Sequence, residues 1–162
     1  MRLSKRGEYG LRALLDLAGE LRTQDNGHAV VQIKDIAERQ QIPLKFLEQI
    51  LLTLKNAGIV NSKQGIGGGY HLAKPAEEII IGQIVRALDG PLAPIRCVSQ
   101  TAYEPCDCPD IQTCGLRMVM LDVRNAIADI LDHTTLASVV DRVDTARNSF
   151  KQEHIDKQGV SK

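Results

Sequence analysis

Apolar positions in the first third of the chain recur with the period of helices that bury one side. Leu11, Leu14, Leu15, Ala18 and Leu21 follow an i, i+3, i+4, i+7 spacing, and Ser4 stands where an N-cap would precede that stripe. The turn-rich residues 23–29 end it. Ile33, Ile36 and Ala37 predict a short helix, Gln41-Ile42-Pro43 a break, and Leu47, Ile50, Leu51 and Leu54 a longer helix. Pro43 suits that helix's first turn and Gly58 its C-terminal cap. A short helix, a tight turn and a second helix form a helix-turn-helix.

The period then changes. Residues 59–63 alternate as a strand does, Gly65-Ile66-Gly67-Gly68-Gly69 intervenes, and Tyr70 to Ala73 read as a second strand. This is a β-hairpin with a glycine tip, and directly after a helix-turn-helix it reads as the wing of a winged helix. A helix over Ile81 to Asp89 is stopped by Gly90-Pro91, and residues 91–113 read as an irregular loop. From Gly115 to Asp132 a long helix carries Leu116, Val119, Met120, Val123, Ile127, Ile130 and Leu131, with Met118, Leu121 and Ala126 widening the stripe. One small domain cannot cover so broad a face, which predicts a dimer element. A short helix from Leu136 to about Val143, capped by Thr134 or Thr135, and a frayed polar tail from Ala146 complete the reading.

The expected fold is therefore mainly α with a small β-hairpin. A winged helix-turn-helix domain occupies residues 1–80, an effector loop and dimerisation helices 81–143, and a polar, flexible tail 144–162.

Composition sharpens this picture. The 162 residues are 43% hydrophobic but only 3% aromatic, so the core must be aliphatic. Twenty basic and twenty acidic residues cancel, yet residues 1–74 hold eleven Lys/Arg against seven Asp/Glu (+4), leaving nine against thirteen (−4) for the rest. A basic N-terminal half points to a polyanion partner. No apolar run reaches the roughly 18 residues of a membrane span, and no signal-peptide core opens the chain, so a cytoplasmic protein without a membrane partner is expected.

The glycine-rich stretch is not a nucleotide loop: no Gly-Lys-Ser/Thr follows, Tyr70 occupies the last glycine position of a GxGxxG register, and the next element is a strand. On the second helix of the helix-turn-helix, Lys45, Phe46, Glu48 and Gln49 lie off the apolar stripe near the N-terminal end. Gln reads adenine edges, Glu accepts from cytosine N4, Lys binds phosphate or guanine, and Phe touches a thymine methyl. Arg2, Lys5, Arg6, Lys63 and Gln64 flank the same surface as phosphate contacts, with Gly65, Ile66, Gly67 and Gly68 at the wing. Double-stranded DNA is the expected partner. No His/Asp/Ser constellation or phosphate-activating Lys suggests an enzyme.

All four cysteines, Cys97, Cys106, Cys108 and Cys114, fall within one loop. In a cytosolic chain such clustering points to metal or redox chemistry. The spacing C-x8-C-x-C-x5-C lacks the paired knuckles usual for zinc, while a two-iron cluster tolerates irregular spacing and a thiol–disulfide sensor needs only two of the four.

The sequence resembles the winged-helix regulators that include the iron–sulfur cluster regulator IscR, the nitric-oxide sensor NsrR and the cysteine-metabolism repressor CymR. The matching stretches are Met1-Arg2-Leu3-Ser4 with Gly7-Glu8-Tyr9-Gly10, Ile36-Ala37-Glu38-Arg39, Leu47-Glu48-Gln49, Gly65 to Tyr70 and Leu88-Asp89-Gly90-Pro91, with the cysteine loop and the following helix. The resemblance covers roughly residues 1–143 and implies a homodimeric DNA-binding repressor or activator. In cluster-bearing members three cysteines and one other residue hold a [2Fe-2S] cluster. Their pattern is met by Cys97, Cys114 and one of Cys106 and Cys108. A histidine ligand of some members is Arg117 here, which has no lone pair to give, and Glu8 stands where other members place an acidic ligand. Gln64 replaces an arginine that some relatives carry at the wing. The alternatives are bound zinc, a thiol redox sensor, or a cluster-free regulator controlled by a partner enzyme of cysteine synthesis, a branch that the segment Gly90 to Pro94 resembles.

Overall fold

A computed structural model describes residues 2–23 and 30–158, with residues 152–158 as helical backbone only. Of the turn expected at 23–29, residues 24–29 lie outside the described residues. Helix α1 spans Lys5–Thr23, and Ser4 caps it as expected: the Gly7 N–H donates to Ser4 Oγ at 3.1 Å. Helices α2 (Ile33–Gln40) and α3 (Leu44–Asn56) form the helix-turn-helix.

Both of these helices end on a reversed turn. At the end of α3, Gly58 has φ +68°, its N–H donates to Lys55 O at 3.0 Å, and the Ile59 N–H donates to Leu54 O at 2.9 Å. This closure satisfies two orphan carbonyls while burying Ile59. The end of α2 repeats it with Gln41 at φ 51° and Ile42 N–H donating to Ala37 O at 2.9 Å. Pro43 precedes α3 rather than entering its first turn.

Strands β1 (Val60–Lys63) and β2 (Gly69–Leu72) pair antiparallel with Val60 opposite Leu72 and Lys63 opposite Gly69. Val31 and Tyr70 exchange backbone hydrogen bonds at 2.9 and 2.8 Å, tying the chain before α2 to the hairpin. Helix α4 (Ile81–Asp89) and helix α5 (Gly115–Asp132) have the predicted limits. Helix α6 (Leu136–Gln158) does not stop near Val143. Its first residues, Leu136, Ala137 and Val140, are buried, and its extension is mostly exposed up to residue 151. Thr135 is its cap, accepting the Ser138 N–H at 3.1 Å.

The core is aliphatic. Leu14 and Leu17 of α1, Ile36 of α2, Leu47, Ile50, Leu51 and Leu54 of α3, Ile84 of α4 and Leu136 of α6 are fully buried. Helix α1 lies close against α4 because two glycines on α1 leave room. A Cβ on Gly10 would stand 2.2 Å from Leu88 Cδ1 and 3.3 Å from Ile50 Cγ2, and one on Gly7 would stand 2.6 Å from Asp89 Oδ2. Asp89 in turn accepts the Ser4 N–H at 2.7 Å. Helix α5 packs on α4 through a two-pronged pair, Arg86 Nη1 and Nη2 to Asp132 Oδ1 and Oδ2 at 2.6 and 2.8 Å. Yet α5 has no buried residue, and Leu116, Met118, Val119, Val123 and Ile130 are exposed along it.

Two glycines on one helix give opposite expectations. Gly19→Ala meets nothing within 4 Å, so it should stabilise the protein by about 0.5–1 kcal/mol through the unfolded state. Gly10→Ala must push Leu88 and Ile50 apart, and should cost about 1–2 kcal/mol net of the same propensity gain. Urea denaturation of both variants checks the pair of signs.

Arg86 holds the Asp132 carboxyl below its ordinary range, chiefly by hydrogen bonding, while burial opposes the shift. A depressed folded-state value contributes stability above the unfolded carboxylate pKa of about 4 that is lost as pH falls below it. Asp132→Asn should therefore lower stability at pH 7 and flatten its decline between pH 5 and 3. A decline as steep as that of the wild type in thermal melts across this range would assign the acid sensitivity elsewhere.

Candidate nucleic-acid interface and thiol loop

Helix α3 turns Leu47, Ile50, Leu51 and Leu54 inward, which leaves Lys45, Glu48 and Gln49 exposed on the opposite side. Phe46 is half-buried at the flank, its ring edge-on to Tyr9 with centroids 5.8 Å apart. Leu52, which the sequence reading assigned to no surface, is 57% exposed among these polar side chains. The signal for it was available: at 100° per residue it falls about opposite the buried stripe.

The wing stands beside this face. Lys63, Gln64, Gly65, Ile66 and Gly67 are exposed and Gly68 half-buried, with the Gly68 N–H closing the tip onto Gly65 O at 3.0 Å. Lys55 Nζ donates to Ser62 Oγ at 2.7 Å, fixing the end of α3 to β1. A shallow groove of about 370 Å³ separates wing from α2, with Lys34 on one wall and Lys63 and Gln64 on the other.

The N-terminal cations are less free than their number suggests. Arg6 donates to Thr53 Oγ1 of α3, and its Nε is buried without a partner among the described residues. Lys5 lies 2.8 Å and Arg12 3.7 Å from Glu8, and both sit over the Tyr9 ring. The Lys5 hydrogen bond is the main cause that holds the Glu8 carboxyl below its usual range and the Lys5 ammonium above its own. Arg2 is exposed and borders a shallow depression with Ser4, Glu8 and Asp89.

The cysteine loop begins where α4 ends. Cys97 is buried, 5% exposed, while Cys106, Cys108 and Cys114 are half-buried. Cys114 Sγ lies 3.8 Å from Cys108 Sγ. Hydrogen bonding from Cys108 lowers the Cys106 thiol, and the Cys108 thiol, between Cys106 and Cys114, is pushed up to about 12. Burial raises Cys97, with Cys106 adding to it. The thiols thus interact in series. Among the described residues no three His, Cys, Asp or Glu side chains converge to hold a metal ion. The donors suit iron in kind, since thiolates are its usual cluster ligands. Bringing three of them to one centre requires the loop to rearrange.

Residues 3–142 match the family profile described as "Rrf2: Iron-dependent Transcriptional regulator". The chain is 38% identical over 140 residues to Protein rrf2 of Nitratidesulfovibrio vulgaris, covering 86% of this chain and 87% of that one. Among solved structures, CymR (YrzC), the global cysteine regulator of B. subtilis, superposes with a TM-score of 0.71 at 30% identity, covering 88% of this chain and 98% of that one. The IscR of T. potens superposes with a TM-score of 0.69 at 31% identity, covering 90% of each. The resemblance read from the residues, the mainly helical winged fold and the expectation that this is a regulator and not an enzyme are all met. No helix among the described residues is long and apolar enough to cross a membrane.

Lys45 and Gln49 are exposed on one face of α3, and their chemistry gives two different expectations. Lys45→Ala should weaken binding to every duplex alike and reduce the salt slope by about one phosphate. Gln49→Ala should lose roughly 1–3 kcal/mol on the preferred sequence while non-specific binding survives. Fluorescence anisotropy at several salt concentrations, on specific and scrambled duplexes, checks both; equal loss on the two duplexes would make Gln49 a backbone contact.

Proposed function

The chain belongs to the Rrf2 family of DNA-binding transcriptional regulators, and we propose that it acts as a homodimer whose operator binding is controlled by a [2Fe-2S] cluster on the cysteine loop. In this reading residues 1–80 form the DNA-binding domain, 81–143 the effector and dimerisation region, and 144–162 a polar tail, in a cytoplasmic protein. The exposed apolar side chains of α5 supply the surface a second copy would cover. Two copies present two α3 helices to successive major grooves of a pseudo-palindrome, with Arg2, Lys5 and Lys63 on phosphates.

One observation carries the regulatory part. The loop that holds all four thiols leaves the C-terminus of α4, and Asp89 there is hydrogen-bonded to Ser4, four residues before Glu8. Cys97, Cys114 and one of Cys106 and Cys108 would supply thiolates, and the partner subunit's Glu8 the fourth ligand. The cluster, when bound, supplies iron–thiolate bonds that oxidants break. To serve as that ligand Glu8 must exchange Lys5 and Arg12 for iron, so its ion pairs set a competing state.

The similarity to CymR favours a second reading, a cluster-free regulator whose DNA binding is set by a partner enzyme of cysteine synthesis. One experiment separates the readings. Protein purified without oxygen should show visible absorption with about two irons and two sulfides per chain. Cys97→Ala and Cys114→Ala should abolish both, Cys106→Ala and Cys108→Ala should divide ligand from bystander, and Glu8→Ala should leave a cluster with an altered spectrum. Stoichiometric zinc, or no metal with DNA binding intact, would overturn cluster control in favour of the alternatives.

A further inference from the structure

On α3 the buried residues Leu47, Ile50, Leu51 and Leu54 fix which way the helix faces. Turned by about 100° per residue, Lys45, Leu52 and Asn56 fall within roughly 40° of one another on the opposite side, with Glu48 and Gln49 flanking them. Leu52 is therefore at the centre of the outward face, 57% exposed and ringed by exposed polar residues. Its neighbours in sequence are committed: Thr53 accepts from Arg6, and Lys55 donates to Ser62 of the wing. Leu52 has no such role in the fold. The spacing 45, 48, 49, 52 is the i, i+3, i+4, i+7 set that a recognition helix presents to base edges when it lies in the major groove.

Resting on the reading of α3 as that recognition helix, we propose that Leu52 reads the 5-methyl group of a thymine in each half-site. An alkyl side chain can neither donate to nor accept from a base edge. Pressed against guanine, adenine or cytosine edges, it strips water from groups it cannot replace. The thymine methyl is the apolar feature the major groove offers, and covering it removes apolar surface from water on both partners. Glu48 and Gln49 then select by hydrogen bonding, and Leu52 adds selection by shape at a separate base pair.

The test uses the full-length wild-type protein and a duplex that it enriches from a randomised pool. Each thymine of the half-site is replaced in turn by deoxyuridine, which keeps the pairing and lacks only the methyl. At one position per half-site this should weaken the wild type by about four-fold, the effect of one buried methyl group. Leu52→Ala should bind the thymine and deoxyuridine duplexes equally at that position, while Leu52→Met, which keeps an apolar tip, should retain the preference. The cycle cancels any effect of deoxyuridine on the duplex itself. Wild-type indifference to deoxyuridine at every position, or a preference that survives Leu52→Ala, would overturn the proposal while leaving α3 a recognition helix. Failure of the wild type to enrich any sequence would instead remove the reading on which it rests.

Discussion

Three helices meet over Gly10. The Leu88 side chain of α4 and the Ile50 side chain of α3 occupy the space a side chain there would need. Close packing of this kind transmits displacement, because a void-free contact cannot absorb it. One turn earlier on α1, Gly7 admits Asp89, and Asp89 accepts from Ser4 at the helix cap. The orientation of the outward face of α3, the position of Glu8 and the point where the cysteine loop leaves α4 are thus set together. Without the two glycines α1 would ride higher on α4, and none of the three would hold its present relation to the others.

What the sequence disclosed follows the physics of turns and stripes. Helices with one apolar face and a glycine stop were legible to within a few residues: α4 ends where Gly90 reverses the chain, and α3 ends on Gly58. The turn between α2 and α3 was legible only as a break. It is closed by Gln41 in the left-handed region, where no residue preference announces it. The extension of α6 beyond Val143 was not legible because it has no apolar stripe. Around Val143 the helix is held by Arg22 of α1, which lies 2.6 Å from Asp141 and 3.7 Å from Asp144. Ion pairs between distant segments leave no periodic trace. The cysteines were visible as a cluster, but their contacts in series depend on loop geometry that spacing does not encode.

Net charge also misstates the surface until pairing is known. The eleven Lys and Arg of residues 1–74 include Arg22, Arg39, Lys5 and Arg12, all engaged with carboxylates. The cations that form no ion pair among the described residues include Lys34 at the start of α2, Lys45 at the start of α3 and Lys63 on the wing. Lys34 and Lys63 face each other across the groove between wing and α2, and Lys45 is exposed on α3. That placement, more than the total, is what the proposed contact with a phosphate backbone would draw on.

The same construction limits how a loop event can reach DNA. A ligand or oxidation at the cysteines alters DNA affinity only to the extent that it favours one arrangement of the DNA-binding elements over another. The loop joins α4 directly at Gly90, and α5, which follows the loop, returns to α4 through Asp132 and Arg86. One end of the loop is therefore continuous with α4, while the other reaches α4 only through the length of α5, whose last residue is Asp132. If α4 shifts, Leu88 must move against Gly10 and Ile50, so α1 and α3 cannot both keep their places. Such couplings are usually about 1–3 kcal/mol, or roughly 5- to 150-fold in affinity. A change that rearranges the thiols yet leaves α4 in position does not reach the outward face of α3 through this contact. In the proposed dimer, regulation in that case would work by changing how far apart the two α3 helices are held.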